Sequence, residues 1–158
     1  MKRSEERNEA GASEVRLQVE RVTEMVYCHQ AMAARLAEDA CGGGTGGVPM
    51  VARSQREVLN QMAMREIVAA VADVGLAGAL LPADETEALL TTGVRSGMEL
   101  TLECLIEEAA AFAVLAWILD GVHTGLAGKY RRMRASRLAM VGGCLRGRER
   151  VTIARRYL

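Results

Sequence analysis

The chain has 158 residues, half of them apolar, and its 20 acidic and 20 basic residues give a formal net charge of zero at pH 7. This length fits one domain with a hydrophobic core, and the apolar content excludes a disordered chain. Few prolines and aromatics, with many alanines, leucines, glutamates and arginines, favour helices over strands. The sequence therefore predicts an all-α fold, a helical bundle of three long helices followed by shorter, basic C-terminal helices.

The start of the chain and its cysteines bear on the compartment. Residues 1–12 read as a polar lead-in without the apolar stretch of a signal peptide, and its three glutamates argue against a transit peptide. The four cysteines are widely spaced and form no CxxC pair, which is typical of free thiols in a reducing compartment. We therefore expect an intracellular protein. After the polar lead-in, the predicted helical domain spans 13–140.

The first predicted helix, 13–40, has a narrow apolar seam. The steps between seam residues alternate between four and three, which is the heptad pattern of a coiled coil. Such a stripe packs against one or two helices rather than into a wide core. We therefore predict that six seam residues dock a partner helix, namely Val15, Val19, Val22, Val26, His29 and Leu36. The histidine would make this docking depend on pH.

Glycines and capping patterns mark the next boundaries. The glycine-rich segment 42–47 lacks the lysine and the preceding strand of a phosphate-binding loop, so we predict a flexible connection. Ser54 followed by Glu57 reads as a capping box that starts a second helix, which Pro82 ends.

The third predicted helix, about 85–120, starts at a second capping box formed by Asp84 and Glu87. It carries an acidic stripe at helical spacing, consisting of Glu99, Glu103, Glu107 and Glu108. Like charges on one helix face repel mildly, so cations are expected nearby. A helix-bundle di-metal centre needs Glu-x-x-His motifs that the chain lacks. We therefore predict neither a metal site nor a cofactor.

The charges are split along the chain. Residues 67–128 hold nine acids and one base, whereas residues 129–158 hold ten bases and one acid. We predict a fourth helix over about 124–140, then a basic C-terminal arm, 141–158, with a short helix after Gly142 and Gly143. The candidate anion-binding residues are Arg131, Arg132, Arg134, Arg137, Arg146, Arg148, Arg150, Arg155 and Arg156.

These patterns favour a non-enzymatic interaction or assembly protein. Its seams would dock partner helices, from a protein partner or a second copy, and its arginine-rich end would dock an acidic surface. One alternative is a membrane-associated protein that inserts 105–128, where Asp120 interrupts the apolar run at a cost of about 3 kcal/mol. Another is a nucleic-acid-binding subunit that uses 129–158. No residue set suggests a catalytic reaction.

Overall fold

A computed structural model describes residues 13–41, 51–82, 84–94 and 97–145 of the chain. Within these ranges the backbone forms helices and strands, and side chains are described except at Ser13, 36–41 and Pro82. The helices dominate, so the mainly helical character expected from composition is confirmed.

The described residues form four long helices and three strands. In chain order these elements are β1 (Ser13–Gln18), α1 (Val19–Cys41), α2 (Arg56–Asp73), β2 (Leu80–Pro82), β3 (Glu87–Thr92), α3 (Glu99–Leu119) and α4 (Thr124–Cys144). Short 3-10 turns at Arg53–Gln55 and Ala77–Ala79 precede α2 and β2.

The three strands form a small antiparallel sheet in the order β1-β3-β2. In β1, Val15 and Leu17 face inward and are buried, while Glu14 and Arg16 face solvent. The period of two in strand side chains therefore divides β1 into a core face and an outer face. On β3, Ala88 and Leu90 continue the core face.

Helix α3 lies at the centre of the fold and contacts β1, α1, α2 and α4. Every residue from Ala109 to Ala116 is buried. A helix that is apolar on all sides needs cover on all sides, and this segment of alanine, valine, leucine and phenylalanine receives it from the surrounding elements. The small alanines allow those elements to approach the helix closely.

Helix α4 returns alongside α3 after a tight turn in which Gly121 has a φ of 77°. This left-handed conformation suits glycine because it has no Cβ. At the far end, Leu145 forms an antiparallel bridge with Val94, which precedes α3. The chain therefore leaves α4 near the N-terminal end of α3.

The sheet is a correction to the all-α prediction, and it changes the first helix. Residues 13–18, expected to begin that helix, form β1, and α1 starts at Val19. The apolar spacing of Val15, Leu17 and Val19 fits a strand with period two, while Val15, Val19 and Val22 fit a helix. Pairing with β3 decides in favour of the strand.

The predicted third helix also begins later than expected. Residues 87–92 form β3, and α3 starts at Glu99, after Gly97 with a φ of 81°. The Asp84 carboxylate does accept the backbone N–H groups of Thr86 and Glu87, at 2.7 and 2.9 Å. These bonds shape a turn into a strand rather than a helix start.

Two further boundaries differ from the predictions. The second helix ends at Asp73 rather than at Pro82, and no side chain caps its start at Gln55, so the Ser54 capping box does not form. Helix α4 continues through Gly142 and Gly143 to Cys144. The predicted glycine-rich loop, 42–47, and the short helix of the basic arm, 146–157, lie outside the described residues.

Within the described part of the chain, no helix has the length and apolar character needed to cross a membrane.

We predict that Val22→Asp destabilises the protein by more than about 3 kcal/mol, because Val22 is fully buried and a carboxylate there would have no partner. Val58→Asp, at an exposed valine of α2, is the matched control and should change stability by less than about 0.5 kcal/mol. Urea unfolding of the two variants measures the difference. Equal losses would mean that the α1 seam is not part of the core.

Candidate partner-binding groove

The junction between β1 and α1 is held by a carboxylate from α3. Glu107 Oε2 accepts the backbone N–H of Gln18 at 3.1 Å and the Nε–H of Arg21 at 2.8 Å. The next backbone N–H, that of Val19, donates to the carbonyl of Thr86 at 2.9 Å. Two backbone N–H groups at the strand-to-helix transition thus have partners at a helix start, where the first N–H groups lack intrahelical acceptors.

Glu107 is a buried charged residue, with 3% of its surface exposed. Burial raises the pKa of its carboxyl group, while the Gln18 and Arg21 hydrogen bonds and the positive charge of Arg21 act in the opposite direction. Arg21 also donates to the carbonyl of Arg16 at 2.9 Å and pairs with Glu103. One guanidinium therefore links two carboxylates of α3 to the end of β1.

An open groove of about 540 Å³ lies beside this cluster, between α1 and α3. Its apolar wall contains Leu100, which is 77% exposed, and Met25, which is partly buried. The remaining lining residues are Glu20, Arg21, Glu24, Glu103, Cys104 and Glu107. The lining thus combines apolar surface with four carboxylates and one guanidinium.

The thiol in the groove is held in its neutral form. Cys104 Sγ lies 3.4 Å from Glu108 Oε1, to which it donates. Burial, this hydrogen bond and the nearby carboxylates raise the pKa of the Cys104 thiol. A nucleophilic cysteine needs the thiolate, so these surroundings disfavour covalent chemistry at this position.

His29 joins α1 to α3 and α4 through aromatic contacts. Its ring meets Phe112 edge-on at 5.3 Å and Tyr130 edge-on at 5.8 Å, measured between ring centroids. Burial lowers the pKa of His29 and nearby Lys129 lowers it further, while Glu108 opposes both effects. His29 is therefore an internal packing residue, and its neutral form fits the structure best.

The arginines of α4 differ in their surroundings. Three of them pair with acids of this chain: Arg131 with Asp120 at 2.9 Å, Arg134 with Asp73 at 2.6 Å, and Arg137 with Glu108. Lys129 and Arg132 are exposed, and neither is within salt-bridge distance of an acid among the described residues. The last five candidate anion-binding arginines, Arg146, Arg148, Arg150, Arg155 and Arg156, lie outside the described residues.

The acidic stripe meets cations from two directions. Glu108 pairs with Arg137 of the basic region, whereas Glu103 and Glu107 pair with Arg21 of α1. No local spacing in the sequence points to this role of Arg21. Its partners are more than 80 residues away in the chain, so only the packing of α1 on α3 identifies it.

The described residues of the heptad seam pack into the interior of this protein. Val15, Val19, Val22 and Val26 are at most 2% exposed and belong to the hydrophobic core. The partners they contact are this chain's own elements, so they are not offered to another chain, and this corrects their assignment as partner-binding residues. Leu36 lies in α1, and its side chain is outside the described part.

Among the described residues, no group of three or more histidine, cysteine or acidic side chains is arranged to hold a metal ion. No protein-family model matches the chain, and neither the curated proteins nor the solved structures contain a significant match. Functional inference therefore rests on the geometry of the groove.

We predict that Glu107→Ala lowers the free energy of unfolding by about 2 kcal/mol, because it removes the acceptor for the Gln18 N–H and the Arg21 Nε–H. Glu107→Gln, which keeps one acceptor oxygen, should lose about 1 kcal/mol. Glu14→Ala, which removes an exposed ion pair with Arg16, is the control and should lose less than about 0.5 kcal/mol. Chemical denaturation measures all three. A loss for Glu107→Ala no larger than that of the control would contradict the role of the carboxylate.

We also predict a histidine-dependent loss of stability on acidification. The pKa of His29 is lowered from its usual value of 6.5, so the unfolded chain takes up a proton first as pH falls. The resulting loss of folding stability is absent well above pH 6.5, begins near that value as pH falls, and stops growing below the folded-state pKa of His29. His29→Leu should remove this part of the drop between pH 8 and pH 5, whereas His123→Asn should retain it. Superimposable pH profiles for wild type and His29→Leu would show that His29 is solvated.

Proposed function

We propose that the protein is a non-enzymatic interaction protein that binds a basic, amphipathic peptide segment in the groove between α1 and α3. The observation that carries this proposal is Leu100, exposed over 77% of its surface on the wall of a groove lined by four carboxylates. A partner side chain that covers Leu100 and Met25 would remove apolar surface from water, which is worth about 25 cal/mol per Å² before the cost of association.

The charge of the lining favours a cationic partner. Glu103 and Glu107 are held in place by Arg21, so their positions are fixed before a partner arrives. Glu20 is the most open carboxylate of the lining, with its side chain 80% exposed and an ion pair to Arg56 at 4.0 Å. Glu24 already pairs with Arg56 at 2.8 Å and with Arg53 at 3.3 Å, so the four carboxylates and the three arginines that pair with them leave a surplus of one negative charge. Arginine or lysine at the groove rim would meet that surplus at Glu20.

Two other exposed apolar side chains are weaker candidates for a partner site than the groove. Leu81 is 66% exposed on the small sheet, and Trp117 is 67% exposed beside a depression of about 200 Å³. The arginines that line this depression, Arg131 and Arg134, already pair with the acids Asp120 and Asp73 of the same chain. The α1–α3 groove combines the larger volume with uncovered leucine.

The surroundings of the thiol and the buried carboxylate in the groove support a non-enzymatic function. The Cys104 thiol is held neutral, and the Glu107 carboxylate accepts two hydrogen bonds that maintain the fold. The pairing of Arg131, Arg134 and Arg137 with acids of the chain supports a structural role for these residues and moves the expected partner site to the acidic groove.

Fluorescence anisotropy of a labelled synthetic peptide tests the proposal. The peptide carries leucines on one helical face and arginines on the other, and a second peptide has glutamates in place of the arginines. We predict that the arginine peptide binds the full chain and the glutamate peptide does not. Leu100→Ser should weaken binding at least tenfold, which corresponds to about 1.4 kcal/mol.

The matched control is Leu81→Ser, which removes another well-exposed leucine, outside the groove. It should leave binding unchanged. Equal binding of the arginine peptide to wild type and Leu100→Ser, or equal losses for the two serine variants, would contradict the groove as the partner site.

A further inference from the structure

We propose that the groove between α1 and α3 is occupied by the chain's own arginine-rich C-terminal segment, 146–158, bound within the same molecule. This inference rests on the proposed function of the groove and names its resident occupant. An external partner would then bind by displacing that segment. Charge, position and side-chain chemistry each support the assignment.

The charge of the chain is divided between the folded part and this segment. The described residues contain sixteen acids and eleven bases, whereas the thirteen residues of 146–158 contain five arginines and one glutamate. The zero net charge of the whole chain therefore combines a negative body with a positive end. Attraction between them is unscreened at low ionic strength and weakens as salt shortens the Debye length.

The position of Leu145 places the segment near the groove. Leu145 pairs with Val94, and Leu100 stands six positions further along the chain, in the first turn of α3. A stretch of six residues spans at most about 22 Å, so Leu100 lies within that distance of Val94. Thirteen extended residues span about 43–47 Å, which is enough to reach and cross the groove.

The side chains of the segment match the two kinds of surface in the groove. Val151, Ile153, Tyr157 and Leu158 supply apolar groups for Leu100 and Met25. The arginines between them supply cations for the carboxylates of the lining. Because the segment is tethered, its effective concentration at the groove is in the millimolar range, so even individually weak contacts are sufficient for occupancy.

Paramagnetic broadening in the full chain tests the inference. A nitroxide is attached to Cys28, which is exposed on α1 one turn beyond Met25 and does not line the groove. The other three cysteines are replaced, and the amide signals of 146–158 are recorded. We predict strong broadening of these signals at low salt, and its loss in the Leu100→Ser chain and at high salt.

The matched control carries the nitroxide at Val122→Cys, with Cys28 replaced. Val122 is exposed just beyond the opposite end of α3, and a helix of 21 residues is about 31 Å long. This label should leave the segment signals sharp. Broadening from both labels alike would show that the segment does not settle in the groove, and so would overturn the inference.

Mixed samples separate binding within a molecule from binding between molecules. Isotope-labelled chains without nitroxide are combined with unlabelled chains that carry it. We predict no broadening in this mixture. Broadening in this mixture as strong as in the sample where every chain carries the nitroxide would assign the groove to the segment of a second copy and overturn the inference.

Peptide competition distinguishes this inference from the proposed function. Replacing the five segment arginines with serine should make the arginine peptide bind about tenfold tighter, because the internal competitor is lost. If the peptide binds both chains equally at the Leu100 groove, the inference fails and the proposed function stands. If it binds neither chain, both fail.

Discussion

The fold depends on a single buried carboxylate at the place where strand, sheet and helices meet. Glu107 of α3 fixes the end of β1 through the Gln18 N–H and the start of α1 through Arg21. A buried ionisable group without partners would destabilise the protein strongly, so the sequence must supply both donors wherever this glutamate is kept. The requirement sets the direction in which α1 leaves the sheet.

That direction also creates the groove. With α1 held against α3 at Arg21, the first turns of the two helices leave Leu100 uncovered and place their carboxylates along one opening. Further along, His29, Phe112 and Tyr130 close the space between α1, α3 and α4. The same pair of helices therefore forms a sealed core at one end and an open, acidic recess at the other.

The sequence predicted the long helices better than the sheet. Composition and periodicity indicated α2, the second half of α3 and most of α4, because those segments contain strong helix formers with apolar repeats. Residues 87–92 consist largely of good helix formers as well, and they form β3 because β1 and β2 pair with them on both sides. Such tertiary pairing overrides local propensity, and no window of the sequence contains it.

The sequence predicted the negative charge of the candidate site, but it did not predict which side chains pair there. The acidic stripe pointed correctly to a face that needs cations, and Arg137 supplies one of them. The pairing of Arg21 with Glu103 and Glu107 depends on how α1 crosses α3, which spacing within either helix does not reveal. The heptad seam was read as a surface for another chain, although a core stripe and an interface stripe have the same pattern.

Nuclear Overhauser contacts between the bound arginine peptide and the protein show directly where the peptide lies. We predict contacts from the leucine methyl groups of the peptide to the methyl groups of Met25 and Leu100, which form the apolar wall of the groove. Contacts to Leu81 on the sheet or to Met140 on α4, both exposed apolar residues outside the groove, with none to Leu100, would contradict this prediction.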